Sequence, residues 1–164
     1  MLIRTLTSED YDAVCKIVND NWREVYAGYV NPELLNDFGC RQREINIKKD
    51  FLSSRLSEYV LENEGKVVAL LSFGNTEDED KAGAFEIWRI YISQNEQGKG
   101  FGDKLISFAE QEAERNGYKE IIIWAFKGNV RAISFYLKHG YIMDREKDLG
   151  APYMAIGVRM TKDL

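Results

Sequence analysis

The chain has 164 residues, 22 Lys and Arg against 27 Asp and Glu (net charge −5), one His, two Cys and 45% hydrophobic residues. That length, with 12% aromatic content, fits a single domain over residues 1–164 with one core and argues against disorder, while the acid surplus argues against a general binder of nucleic-acid backbones. Cys15 and Cys40 lack Cys-x-x-Cys spacing and a single His does not complete a usual zinc site, so neither a metal site nor a disulfide scaffold is expected.

The N-terminal residues MLIRTLTSED lack the pattern of a signal peptide, and no run approaches 18 apolar residues. The expectation is a soluble cytoplasmic protein with reduced thiols and no membrane association. In chain order, residues 2–6 read as a short strand. Thr7 and Ser8 then stand as caps before Glu9, Asp10 and Asp12, acids that suit the start of a helix. Val14, Ile17, Val18, Trp22 and Val25 recur at three- and four-residue steps, which predicts an amphipathic helix over 8–27 ended near Gly28. Asn31 and Pro32 start a short helix through 37, and another helix runs over about 41–52. From Tyr59 the period becomes two: strands at 59–62 and 66–73 flank the turn Asn63, Glu64, Gly65. A polar loop (TEDEDK, 76–81) precedes a strand at 84–93. The stretch QGKGFG (97–102) follows, then a helix to Asn116, a strand at 120–126, a helix at 129–139, and strands at 141–148 and 153–161. With no repeat or linker, this order belongs to a mixed α/β domain.

A glycine-rich turn between a strand and a helix leaves backbone N–H groups free to face an anion. The GxGxxG pattern needs glycine at 103, where Asp103 stands, and a P-loop needs Ser or Thr where Gly100 stands. Neither nucleotide motif is present. Taken alone, the glycines make either an anion site or a flexible turn.

The surroundings decide the reading. A strand ending in Ile90, Tyr91 and Ile92 leads into Gln97, Gly98, Lys99, Gly100, Phe101 and Gly102. A helix and a strand later comes NVRAISFYLKHGY (129–141), with Asn129, Ala132, Phe135, Tyr136, Gly140 and Tyr141. This pair of motifs resembles the GCN5-related N-acetyltransferase (GNAT) superfamily over roughly residues 84–141. The resemblance implies a mixed, mostly antiparallel central sheet flanked by helices, and acetyl-CoA as the acyl donor, without a metal. It implies that residues 97–102 hold the CoA pyrophosphate on backbone N–H groups, with Lys99 as an added charge. It further implies that the backbone of Ile90, Tyr91 and Ile92 pairs with the pantetheine arm as with a neighbouring strand, where strands 84–93 and 120–126 splay apart.

Acetyl transfer to an amine needs a neutral nitrogen, a polarised carbonyl and a proton for the departing thiolate. By resemblance Tyr136 is the candidate acid, with aromatic packing as its other reading, and Asn129 caps its helix or contacts CoA. Glu86, in the strand leading to the CoA segment, is the candidate base or else an ion-pair partner of Arg89. His139 is read as a capping or packing residue, and Trp88 and Trp124 as structural. Trp22 and Tyr26 fall where the family's first helices wall the acceptor cleft, and also at core spacing on a helix.

The implied reaction is direct attack by a primary amine, on a small molecule or a protein, in a ternary complex. A non-catalytic acyl-CoA sensor on the same scaffold is the alternative. The family often forms homodimers, which implies one here. Residues 1–93 hold 11 basic and 17 acidic side chains, a net of −6, against 11 and 10, a net of +1, for residues 94–164. The surplus around Glu77, Asp78, Glu79 and Asp80 predicts a cationic acceptor.

Overall fold

Alternating stretches and continuous apolar runs such as residues 121–126 form seven strands, and three- and four-residue apolar spacing marks helices among the four present. In a computed structural model describing residues 1–164, the elements are β1 (Leu2–Thr5), α1 (Tyr11–Val25), α2 (Asp37–Ser53), β2 (Ser57–Asn63), β3 (Lys66–Asn75), β4 (Phe85–Ile92), α3 (Phe101–Arg115), β5 (Glu120–Phe126), α4 (Val130–Lys138), β6 (Ile142–Asp148) and β7 (Ile156–Asp163). They form one sheet of order β1-β2-β3-β4-β5-β7-β6. Only the β4–β5 pair is parallel.

The departures from the sequence reading have local causes. Helix α2 starts at Asp37 rather than near 41 because Asn36 caps it, its side chain accepting from the Gly39 N–H at 3.0 Å. Gly39 is needed there, since an added Cβ would lie 2.4 Å from the Leu34 carbonyl oxygen. The short helix expected through 37 is a single 3₁₀ turn, Pro32–Leu34. The β2–β3 hairpin closes on two residues, Glu64 and Gly65, both in the left-handed region, so Asn63 stays in the strand.

One sheet face packs on α3 and α4 through Leu105, Ile106, Ala109, Tyr136 and their strand neighbours Ile87, Ile123 and Met160. The other packs on α1 and α2 through Val14, Val18, Trp22 and Ile47 against Val60 and Leu70. The segment between β3 and β4 covers the rest of this second face. There the buried Arg159 guanidinium on β7 holds Asp78 at 2.8 Å, Asp80 at 2.7 Å and Asp144 at 3.0 Å. Asp78 also accepts from the Trp124 indole at 2.9 Å. Removing one partner of such a cluster strands the rest. Arg159→Met is therefore expected to lower Tm by about 5–10 °C in a thermal melt.

Two irregularities in β4 shape the site. Between Ser72 and Phe73 the β3–β4 register shifts so that Ser72 pairs with Arg89 and Phe73 with Ile87, leaving Trp88 as an extra, bulged residue. On its other edge β4 pairs with β5 only at Phe85, Glu86 and Ile87, opposite Ile121, Ile122 and Ile123. Beyond that the strands part, and Trp124, Ala125 and Phe126 pair with β7 alone.

Candidate functional site

The parting of β4 and β5 opens a cavity of about 360 Å³. Its walls are the free edge of β4, the start of α3 and the inner face of α4. None of the backbone N–H groups from Gly98 to Asp103 has a backbone acceptor; the first intrahelical partner is found by Lys104, on the Gly100 carbonyl. Gly98 (φ 80°) and Gly100 (φ 79°) adopt left-handed backbone that a side chain would strain. The result is a row of unpaired donors at the positive end of a 15-residue helix, which suits a polyanion such as a pyrophosphate. Arg131 stands on the same wall, its guanidinium donating to Gln97 Oε1 at 2.5 Å, with no acidic partner. The residues present fit CoA: phosphate donors at one end, and a strand edge with unpaired amides leading inward.

The sequence-predicted residues fall in three places. Ile90, Tyr91, Ile92, Gln97, Gly98, Gly100, Gly102, Asn129, Tyr26 and Tyr136 all line this cavity. Lys99 is exposed beside it and paired with Glu96 at 3.0 Å, and Phe101 turns into the core under α3. Asn129 also caps α4, accepting from the Ala132 N–H at 3.2 Å. His139 ends α4 and contacts Asp103 at 2.9 Å. Tyr136 is 5% exposed. Burial, with Tyr91 nearby, pushes its phenol above the ordinary tyrosine range, so it is protonated at neutral pH.

Glu86 lies on the opposite sheet face, at the end of β4 where β5 is still paired, and is not on the cavity wall. Its carboxylate accepts from the Thr76 hydroxyl at 2.8 Å. Burial is the main reason its pKa is raised to about 7, with Asp78 and Glu77 adding to the rise. A raised carboxyl contributes stability that is complete below pH about 4.5 and is lost as pH rises through about 7. Glu86→Gln is accordingly expected to stabilise the fold by about 2 kcal/mol at pH 8 and by little at pH 4, measured by denaturant titration at both values.

A second cavity, of about 540 Å³, opens between α1, α2 and the β6–β7 connection. It shares Trp88, Arg89 and Tyr91 with the first, so the two meet across the bulged part of β4. Trp22 lines the second cavity, its indole donating to the Tyr91 hydroxyl at 3.1 Å. Trp22, Tyr26, Phe126 and Tyr153 pack edge-on or tilted, with centroids 4.9–6.5 Å apart. Sequence reasoning missed Tyr153, which reaches this wall only through the β6–β7 connection. Asn31 ties that connection to the end of α1 through the Tyr153 and Pro152 carbonyls. Trp88, taken as a structural residue, is the bulged residue facing both cavities, and nothing in an alternating strand pattern marks a bulge.

Three of the four acids behind the expected cationic preference are engaged in ion pairs, and only Glu79, which is exposed, has none. Glu77 pairs with Arg55, Asp78 with Arg159, and Asp80 with Arg159 and Arg145. No group of three or more His, Cys, Asp or Glu is placed to hold a metal ion, and no helix is long and apolar enough to cross a membrane.

A model described as the acetyltransferase (GNAT) family matches residues 11–141. A Bacillus subtilis protein, the uncharacterized N-acetyltransferase YuaI, is 25% identical over 135 residues, spanning 82% of this chain and 76% of that protein. The spermine/spermidine N(1)-acetyltransferase of Bacillus subtilis is 30% identical over 89 residues, 52% of this chain and 59% of that one. The crystal structure of the PaiA N-acetyltransferase of Thermoplasma acidophilum in complex with coenzyme A has the same fold, with a TM-score of 0.78 at 20% identity over 99% of this chain and 98% of that chain.

Proposed function

The chain belongs to the GNAT acetyltransferase family and is an acyl-CoA-dependent N-acetyltransferase, and from that premise we propose that it moves an acetyl group from acetyl-CoA to a primary amine by direct attack in a ternary complex. The observation that carries this reading is the pair of cavities meeting at Trp88, Arg89 and Tyr91, one edged by free β4 amides and the other walled by α1 and α2. Two substrates entering from opposite sheet faces meet there without an intermediate carrier on the protein.

Acetyl-CoA supplies the acyl group already activated as a thioester. The N–H groups of 98–103 and Arg131 hold its phosphates, and the edge amides of Trp88 to Ile92 orient its arm as an added strand would be oriented. The bulge at Trp88 lies where the two cavities meet, and a backbone N–H freed from the ladder there can polarise a carbonyl. Glu86, with a pKa of about 7, takes the proton of the incoming ammonium through water, since it is not on the wall itself. Tyr136 donates a hydrogen bond to the departing sulfur. Its phenol is a weaker acid than a thiol of pKa ~8.5, so it keeps its proton and stabilises the developing charge by that hydrogen bond, and the released thiolate takes its proton from solvent.

Calorimetric titration with CoA, ATP and NAD tests the donor half of the proposal. One CoA per chain is expected, with neither nucleotide competing at equal concentration; competition by ATP or NAD would overturn it. An acetyl-CoA assay over a broad amine panel, polyamines and protein N-termini included, tests the acceptor half.

A further inference from the structure

Seven of the ten arginines are in ion pairs. Of the other three, Arg41 is exposed, Arg131 lines the CoA cavity, and Arg43, on α2, lines the second cavity. A half-buried guanidinium without a counterion is costly, and it is conspicuous in a chain with five more acids than bases. Arg43 is also held in place. Its Nε donates to Asn19 Oδ1 at 3.0 Å and Nη1 to the Leu34 carbonyl at 2.5 Å, while Asn19 is fixed in turn by donating to Glu44 at 2.8 Å. The guanidinium lies over the Trp22 ring, 4.4 Å from its centroid. Nη2 has only the Cys40 sulfur, at 3.4 Å. An oriented fork with spare N–H donors and no compensating charge is the geometry that recognises a carboxylate.

The remaining charges of this wall point the same way. Asp50 spends one oxygen on Arg55 and the other on Arg89, and Arg89 is also bonded to Glu58. Glu77 is paired with Arg55. The acids facing the cavity are therefore satisfied by its own arginines, and the uncompensated side chains are Arg43 and Lys49. Trp22 links Arg43 to Tyr91 at the junction with the CoA cavity.

Resting on the acetyltransferase reading, we propose that the acceptor is an amine that also carries a carboxylate, bound by Arg43 over Trp22 while the amine reaches the junction at Trp88 and Tyr91. This reverses the cationic preference expected from the overall charge. The carboxylate belongs either to a free amino acid or to an acidic residue of a peptide whose N-terminus is the acceptor.

The test is a ladder of ω-amino acids, from glycine to 6-aminohexanoate, each against the alkylamine of equal length. Spermidine and the peptide amides Ala-Asp and Ala-Asn complete the set. At one length the amino acid is expected to exceed its alkylamine at least tenfold in kcat/KM, chiefly through KM. Arg43→Gln should cut that ratio about tenfold or more, and Arg43→Lys by less, in protein whose thermal melt shows a folded state. A preference confined to the ω-amino acids indicates a small acceptor, and one for Ala-Asp over Ala-Asn a peptide; both support the proposal. A wild-type preference for alkylamines or spermidine throughout, or a ratio that survives Arg43→Gln, would overturn it. Calorimetry of the CoA complex with the same ω-amino acids reads binding without turnover. Arg43-dependent binding with no acetylation of any amine would leave a carboxylate site at Arg43 but overturn its role in holding an acceptor together with the acetyltransferase reading, whereas no binding of any carboxylate rejects the inference alone.

Discussion

Tyr136→Phe is expected to lower kcat by two to three orders of magnitude while leaving CoA affinity within about twofold, because the substitution removes one donor aimed at developing charge and nothing else. The phenyl ring keeps its packing against Phe135 and Tyr141, whose centroids lie 5.5 Å and 6.0 Å away, so the fold is retained. The donor is dependable because burial keeps the phenol protonated well beyond neutral pH. The loss should therefore be constant across the pH range in which the enzyme is folded. Steady-state rates and calorimetry on the same preparations check both halves. A kcat within threefold of wild type would remove Tyr136 from the mechanism and leave it as core.

Gly100→Val is expected to weaken CoA binding by at least a hundredfold. Gly100 precedes α3 with φ 79°, and a β-branched residue in that region is strained by a few kcal/mol. The backbone relieves the strain by turning the N–H row away from the phosphates, which undoes the alignment that makes a helix start bind an anion. An added Cβ meets only Asp103 Oδ2, at 3.8 Å, so the penalty is conformational and not a clash. Calorimetry with CoA is the measurement. Near-normal affinity would mean that the phosphates are held elsewhere, by side chains such as Arg131.

The cofactor side was legible because its signals are local. Gln97 to Gly102 and the 129–141 helix are continuous stretches whose spacing carries the information, and both border one cavity. The parting of β4 and β5 followed from the family resemblance and is visible here as pairing that stops at Ile87. The acceptor side was poorly legible because its contacts join distant segments. Arg159 meets Asp78 across 81 positions, and Asn31 meets Pro152 across 121. A charge total cannot tell an acid facing a substrate from one bound to an arginine far along the chain. That is why TEDEDK read as an attractive surface when most of its acids are internal ion pairs. Likewise no local pattern marks Arg43, because Asn19, Leu34 and Trp22 come around it only in the fold.

In the proposed reaction two substrates meet at the gap between the β4 bulge and β5 and react there directly. Initial-rate kinetics with acetyl-CoA and an accepted amine both varied, following free CoA thiol, test it most directly. Amine-dependent release of CoA with intersecting double-reciprocal lines is expected. Parallel lines with an acetylated protein detectable by mass spectrometry, or CoA release that does not depend on any amine, would contradict it.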